Sequence, residues 1–420
     1  MITIGILGVG TVGTSVAKIL EENADIIEAR AGKKIVVKSG VVKNLSKDRG
    51  LSIIISDNPL DIVDDPEIDI VVELMGGVDE PYSLVKKALQ NGKAVVTANK
   101  ALLAYHRYEL QNIAGDIPLM YEASTAGGIP IIGAMRTGLS ANHIDSIQGI
   151  MNGTCNYMLT KMINEGAKYD EILKEAQELG YAEADPTFDV GGFDASHKLL
   201  ILASIAYGID AKPEDILIEG IESITQTDVE FAKEFGYEIK HLGIAKKVAN
   251  GAELRVHATM VPSESMIAKV DGVMNAVTVV GDKVGETMYY GAGAGGDATA
   301  SAVIADIVDI VRGNQGPMLG YKKGLESGLQ LLSRDEIITQ YYLRLEVDDQ
   351  KGVLATIAKT LGEFDISIES MLQKPTKNET IAKLLFTTHL CQESKMQEAI
   401  KALEALEVVY GNIAMIRIEK

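Results

Sequence analysis

Two short stretches gather the side chains that could move a proton or polarise a carbonyl. The run Gly180-Tyr181-Ala182-Glu183-Ala184-Asp185-Pro186-Thr187-Phe188-Asp189-Val190-Gly191-Gly192-Phe193-Asp194 sets four carboxylates among turn-forming residues, and an apolar helix carrying Lys198 follows it. Asp194 and Lys198 lie four apart and share a helix face. That spacing describes either a weak surface ion pair or a charged pair held inside a cleft, where it could polarise a carbonyl and relay a proton. The apolar neighbours Leu199, Leu200 and Leu202 favour the cleft. Glu183 adds a carboxylate suited to a substrate ammonium group. The second stretch, Thr97-Ala98-Asn99-Lys100, ends a predicted strand on the side where open α/β sheets bind ligands. Hydride transfer to an aldehyde needs this combination of a cation, a carboxylate and a proton carrier.

A cofactor for such chemistry has a place at the other end of the chain. Gly8-Val9-Gly10-Thr11-Val12-Gly13 follows a predicted strand (Ile2 to Leu7) and opens a helix with Val12, Val16, Ile19 and Leu20 on one face. Gly8 would make the tight turn, Gly10 would let the backbone approach a pyrophosphate, and Gly13 would allow close helix–strand packing. Free amides at the helix start would hold the anion. The alternative is an ordinary strand–helix turn. The acidic residue that would take a ribose hydroxyl is missing after the second strand, where Lys43-Asn44-Leu45-Ser46-Lys47-Asp48-Arg49 stands instead. Lys43 and its neighbours could accept a 2′-phosphate, favouring NADP or dual use with NAD; a solvated charged loop is the competing reading.

These sites require a particular scaffold. From Met1 to about Met120, short β-branched runs alternate with amphipathic helices, which predicts a parallel sheet with crossover helices. The fold class expected is α/β in three parts. Residues 1–130, with a helix returning over 297–320, form a Rossmann-type doubly wound dinucleotide-binding domain. Residues 131–296 form an α+β substrate and dimerisation domain, and 321–337 a glycine-rich linker. Residues 338–420 follow a β-α-β-β-α-β, ferredoxin-like order.

The net charge of -19 repels phosphate backbones and anionic lipid, so neither nucleic acid nor membrane is an expected partner. Cys155 and Cys391 make neither a disulfide framework nor a metal spacing, and a reducing cytoplasm is implied. The first residues enter a strand directly, without a basic segment and apolar core, so no export signal or preceding domain is expected.

The run Ala176 to Tyr181, with Asp185-Pro186, Asp189-Val190-Gly191-Gly192-Phe193-Asp194 and Lys198, resembles the signature of the homoserine dehydrogenase family. Asn152-Gly153-Thr154-Cys155-Asn156-Tyr157, Thr97-Ala98-Asn99-Lys100 and Tyr121-Glu122-Ala123-Ser124-Thr125-Ala126-Gly127-Gly128-Ile129-Pro130 are further matches. The resemblance implies reversible NAD(P)H-dependent reduction of aspartate 4-semialdehyde to homoserine, on the route to threonine, methionine and isoleucine. By position, Lys198 would be the proton donor with Asp194 beside it, and Lys100 would lie where cofactor and substrate meet. Glu183 and Asp189, with Tyr181 and Thr154, would contact the substrate. Gly8, Gly10, Thr11, Val12, Gly13, Lys43, Thr97, Asn99 and Gly293 would face the cofactor. Glu122, Thr125, Gly127 and Ile129 match a loop that in the family holds a monovalent cation, sodium or potassium, largely through backbone carbonyls.

Asp349-Gln350-Lys351-Gly352-Val353-Leu354 resembles the opening of ACT domains, where Asp349, Gly352 and Val353 would meet an amino-acid effector, threonine first, at a helix start. Asp365 stands where ligand-binding members often have asparagine, and a purely dimerising domain is the alternative. A homodimer or homotetramer is expected. His197, turned about a hundred degrees from Lys198 around the helix, and Cys155, with no activating base nearby in sequence, are expected to pack rather than react. Two other functional classes remain at this point: a sensing protein with an inactive dehydrogenase body, and a related oxidoreductase for another semialdehyde or imine.

Overall fold

The computed structural model describes residues 1–314, 316–324, 329–375 and 380–420. Two sheets organise it. The first has six parallel strands in the order β3-β2-β1-β4-β5-β6: β1 (Ile2–Leu7), β2 (Ile35–Val41), β3 (Ile54–Ser56), β4 (Ile70–Glu73), β5 (Ala94–Thr97) and β6 (Leu119–Met120). The strand order reverses between β1 and β4, which opens the crevice where such sheets bind ligands. The helix that returns late in the chain, Gly296–Arg312, packs on this sheet beside the first helix, Thr11–Glu22, and buries Val303 and Ile307 in the same core as Val16 and Leu20.

The second sheet has eleven strands. From the middle of the chain come β7 (Ile144–Ile150), β8 (Leu217–Ile218), β9 (Tyr237–Val248), β10 (Gly251–Pro262), β11 (Met274–Gly281) and β12 (Gly285–Ala292). From its end come β13 (Ile338–Asp348), β14 (Ile368–Pro375), β15 (Ile381–Thr388), β16 (Cys391–Gln392) and β17 (Val409–Ile418). With helices Val353–Glu363 and Glu393–Glu404 the last part keeps the expected β-α-β-β-α-β order apart from the short extra β16. The sheets of the middle and last parts join, however: β17 lies parallel to β10, pairing Thr259 with Arg417 and Met260 with Ile418. Sequence patterning anticipates each half of this sheet but not the seam, because edge pairing leaves no periodic signal.

The returning helix ends at Arg312, short of the expected 320, because Gly313 closes it in a left-handed conformation, and the stretch from there into the expected linker is partly docked. Met318 and Leu319 are buried, the Tyr321 hydroxyl donates to the Ile205 carbonyl, and Leu331 bridges to Ala252; Gln315 and residues 325–328 lie outside the described residues. Among the described residues of 313–337 the only helix is the single turn Arg334–Glu336.

At the centre stands the helix Phe193–Tyr207, in which every residue but Phe193 and Ala206 is buried. A helix apolar on all sides can only sit between layers. It packs on β9 and β10 on one side and on the helix Lys100–Ala114 on the other, and so brings Asp194 and Lys198 to the boundary between the two sheets.

Candidate active site

The chemistry begins with local turns. Gly192 caps the start of the central helix at φ +88°, a left-handed conformation that a glycine adopts without strain, and a Cβ there would press on the Glu219 carbonyl at 3.1 Å. The turn aims Asp194 inward. On the facing side Asn152 caps the helix Gly153–Glu165, accepting from the Cys155 amide. Its Nδ2 donates to both Asp189 Oδ1 (2.8 Å) and Asp194 Oδ2 (3.0 Å), fixing the two carboxylates relative to each other.

Asp194 lies between two ammonium groups. Lys198 Nζ is 2.8 Å from Oδ2 and also donates to the Met151 carbonyl at 2.6 Å, while Lys100 Nζ is 2.9 Å from Oδ1. Burial alone would raise the Asp194 carboxyl, but Lys198 and Lys100 outweigh it and hold the acid far below the usual carboxylate range. Burial works against the Lys100 ammonium, yet Asp194, helped by the charges of Asp189 and Glu183, keeps it above its ordinary value. Asp189 is raised by burial and partly restored by Asn152. The surface ion-pair reading of Asp194 and Lys198 therefore does not hold: their side chains are only 6% and 11% exposed.

The row faces a cleft of about 650 Å³ between the sheets. Val12, Lys100, Gly127, Thr154, Tyr181 and Gly293 are among its walls, as are Asp189, Asp194 and Lys198. Glu183 is exposed on the rim loop, with its carbonyl held by Gln177.

The glycine loop has two tightly packed positions and one open one. Gly8 has φ +100° and a Cβ there would meet Leu74 O at 2.7 Å; at Gly13 it would lie 2.4 Å from Gly8 O. At Gly10 nothing lies within 4 Å, so that face is open to a ligand. Thr11 is exposed at the first turn of the helix.

Two expected cofactor residues turn their side chains elsewhere. Thr97 is fully buried, with its hydroxyl given to Glu73, and Asn99 caps the helix that Lys100 opens while donating to Gly77 O. Both side chains serve the scaffold under the cleft. Lys43 is exposed beyond β2, whereas Arg49, not singled out within its charged loop, donates through Nε to Val9 O inside the glycine loop at 2.8 Å. Glu73 carries no motif signal in the sequence. It is fully buried at the end of β4, accepts from Thr97 and the Met75 amide, and burial pushes its carboxyl up to about 7.

His197 packs edge-on against Tyr105 and Phe188, and burial lowers its imidazole to about 4. Cys155 is buried with its thiol donating to Asp189 O, and burial raises it well above the ordinary thiol value. Both pack, as expected.

A doubly wound nucleotide crevice facing a Lys–Asp–Lys row built on a buried carboxylate defines a nicotinamide-dependent oxidoreductase. Residues 8–115 match the family model "Homoserine dehydrogenase, NAD binding domain", 130–308 match "Homoserine dehydrogenase", and 341–408 match "ACT domain". The homoserine dehydrogenase of Helicobacter pylori is 55% identical over 100% of this chain and 99% of its own length, and that of Pseudomonas aeruginosa is 47% identical over 100% and 99%. The crystal structure of a homoserine dehydrogenase from Thiobacillus denitrificans superposes with a TM-score of 0.95 at 47% identity, covering 100% of this chain and 98% of that one. A hyperthermophilic archaeal homoserine dehydrogenase in complex with NADPH superposes at 0.63 with 29% identity, over 73% of this chain and 97% of its own. The chain belongs to the homoserine dehydrogenase family, with an ACT domain at its end. It is an oxidoreductase that interconverts aspartate 4-semialdehyde and homoserine with a nicotinamide cofactor. Among the described residues no helix is long and apolar enough to cross a membrane.

Proposed function

We propose that the Lys100–Asp194–Lys198 row carries the chemistry, and the observation behind this is that Asp194 and Lys198 are buried beside the half-buried Lys100 at the wall of the cleft that Val12 of the glycine loop also lines. Lys198 spends one N–H on Asp194 and one on Met151 O, which leaves the third for the substrate carbonyl. In the reducing direction that N–H stabilises the forming alkoxide and then protonates it. In reverse, the neutral amine takes the hydroxyl proton. Asp194 stays ionised throughout and aims both lysines. Asp189 and Glu183 receive the substrate ammonium, with Tyr181 and Thr154 beside them. When bound, the nicotinamide supplies or accepts the hydride.

The same reading prefers NADP over NAD: Arg49 anchored on the glycine loop and Lys43 beyond it suit a 2′-phosphate, and no acid ends β2 to take a ribose hydroxyl. A monovalent cation, sodium or potassium, fits the loop of Glu122, Thr125, Gly127 and Ile129. Among the described residues no amide donates to the carbonyls of Thr125 and Gly127, while those of Glu122 and Ile129 each accept one amide, from Thr125 and Ile131, and keep a second lone pair; Glu122 and Asp306 are neighbouring buried acids, both raised by burial. The Glu122 carboxylate itself is taken by the amides of Ile132 and Gly133, so carbonyls would be the ligands and the ion's work would be to hold the loop. In the ACT domain, Gly352 at φ +93° starts the helix Val353–Glu363 beside Asp349, which suits the carboxylate of an amino-acid effector, threonine first. Cytoplasmic residence and a homodimer or homotetramer complete the proposal.

The test follows cofactor reduction by its absorbance while the purified chain oxidises homoserine with NAD or NADP, with and without threonine. Turnover that disappears in Lys198→Ala supports the site. Undiminished turnover in that variant would remove Lys198 from the mechanism, and a threonine-independent rate would leave the ACT domain a structural role.

A further inference from the structure

We propose that Arg417, on the last strand of the ACT domain, is a positioning residue for the reaction. Through Glu219 it holds the turn that separates Asp189 from Asp194. The inference rests on the roles given above to those two carboxylates and adds a residue more than two hundred positions away in sequence.

Arg417 is buried at the seam between β17 and β10, and its guanidinium joins two carboxylates from different domains. Nε and Nη2 donate to Glu393 of the ACT helix Glu393–Glu404 at 2.9 and 2.6 Å. Nη1 and Nη2 donate to Glu219 of the catalytic body at 2.7 and 3.0 Å, a two-pronged grip that fixes direction as well as distance. The Tyr341 hydroxyl also donates to Glu393, so the ACT side of the link is anchored at a second point.

The segment that Arg417 grips is the floor under the catalytic turn. Just past the two-residue strand β8, the Glu219 amide donates to Val256 O of β10. The Glu219 carbonyl accepts from His241 Nε2 at 3.1 Å and lies against Gly192. Burial holds His241 neutral, lowered to about 4, and its Nδ1 has no partner, so the single ring N–H belongs on Nε2. Gly220 meets the Val190–Gly191 backbone so closely that a Cβ would stand 2.3 Å from Val190 O, and the Ile221 amide donates to that same oxygen at 3.1 Å. Residues 219–221 thus cradle Val190, Gly191 and Gly192. On one side of this turn is Asp189, tied to Asn152; on the other is Asp194, tied to both lysines. A floor that shifts moves the substrate-binding carboxylate relative to the proton-handling one, and misplacement of the order of an ångström is enough to cost a large rate factor.

Glu219 is 39% exposed in its side chain, so Glu219→Ala severs the link from the side where the fold tolerates truncation; Arg417→Met severs it from the buried side. Both are compared with Arg344→Ala, which cuts a different tie between ACT domain and body, the Arg344–Asp228 pair, whose carboxylate is shared with Tyr342 and Thr225 and not with the turn. The expected result is a fall of about tenfold in kcat/KM for homoserine in Glu219→Ala. It should come with a raised KM for homoserine and an unchanged KM for the cofactor, a split that loss of folded enzyme does not produce. Arg417→Met should match it, the double variant should be no worse than the more affected single one, and Arg344→Ala should melt earlier with kinetics intact. If Arg417→Met does not fold, Glu219→Ala decides alone. Wild-type kinetics in Glu219→Ala, additive losses in the double variant, or the same KM change in Arg344→Ala would overturn the proposal. Lys198→Ala, run alongside, separates this outcome from failure of the site itself: full activity there rejects the roles of the row, whatever Arg417 does.

Discussion

Asp194 is the residue whose neighbours have most to lose from its replacement. In Asp194→Asn the side chain keeps its shape, but Lys100 and Lys198 lose the one carboxylate that both contact, and Lys100 keeps only the weaker help of Asp189 and Glu183. Removing the charge that both lysines contact is expensive, so the variant is expected to lower kcat by about a hundredfold or more and to move the basic limb of the pH–rate profile for semialdehyde reduction to lower pH as Lys100 loses the charge that holds its ammonium above the ordinary value. An unchanged basic limb would mean that Lys100 does not depend on Asp194. Glu73 offers a test of the scaffold under the site. Its carboxyl rises from 4.5 in the unfolded chain to about 7 in the fold because burial disfavours the charge. The folded state therefore binds the extra proton between those values, and stability falls as pH rises through that window, with the full penalty present above about 7. Glu73→Gln can still accept from Met75 and donate to Thr97, and it removes the charge. It is expected to be more stable than wild type at pH near 8 by up to about 3 kcal/mol, and nearly equal to it near pH 4, read by urea unfolding at both values. A gap that does not depend on pH would show that Glu73 does not titrate in the fold.

At the scale of elements, the glycine loop separates packing from binding. Gly13→Ala places a methyl 2.4 Å from Gly8 O, so it must push the first helix off its strand, and the expected result is a lower Tm together with weaker cofactor binding. Gly10→Ala meets no protein atom, so Tm should be unchanged while KM for the cofactor rises by about tenfold. Equal effects in calorimetry and kinetics for the two variants would mean that the loop is only a turn. This division was legible in the sequence because each glycine answers a local requirement, and so was the Asp194–Lys198 face, which follows from helix periodicity alone. What was not legible depends on contacts between elements. Asn152 reads as a helix cap, and only the tertiary fold turns its Nδ2 onto Asp189 and Asp194. Thr97 and Asn99 belong to a motif beside the cleft, but their side chains turn down to Glu73 and Gly77, which no spacing rule reveals. Arg49 could be seen as a charge near a nucleotide, but its grip on Val9 O could not.

The whole molecule is tied together more firmly than a body with an appended module. The ACT sheet turns one face to its own helices and the other to the catalytic body, where Tyr342, Leu385, Ile416 and Ile418 share a core with Met158, Leu159, Phe231 and Met260. Around this core Asp228 takes Tyr342 and Arg344 from β13, and Glu419 pairs with Arg255 and Lys246. On β10, β8 pairs Arg255 and Val256, and β17 takes the neighbouring Thr259 and Met260. A chain ending before Ile338 would therefore expose both an open strand edge, a ready template for pairing with other chains, and a contiguous apolar face. The truncated protein is expected to associate or precipitate at concentrations where the full chain runs as a defined oligomer in size-exclusion chromatography. For the same reason the intact chain is expected to lose its ACT domain and catalytic body in one calorimetric transition, since unfolding either uncovers the core of the other. A well-behaved truncated protein, together with an early separate ACT transition in the full chain, would show that the seam is an accessory contact. A single transition would mean instead that any effector held at Gly352 acts on a structure already continuous with the catalytic helix.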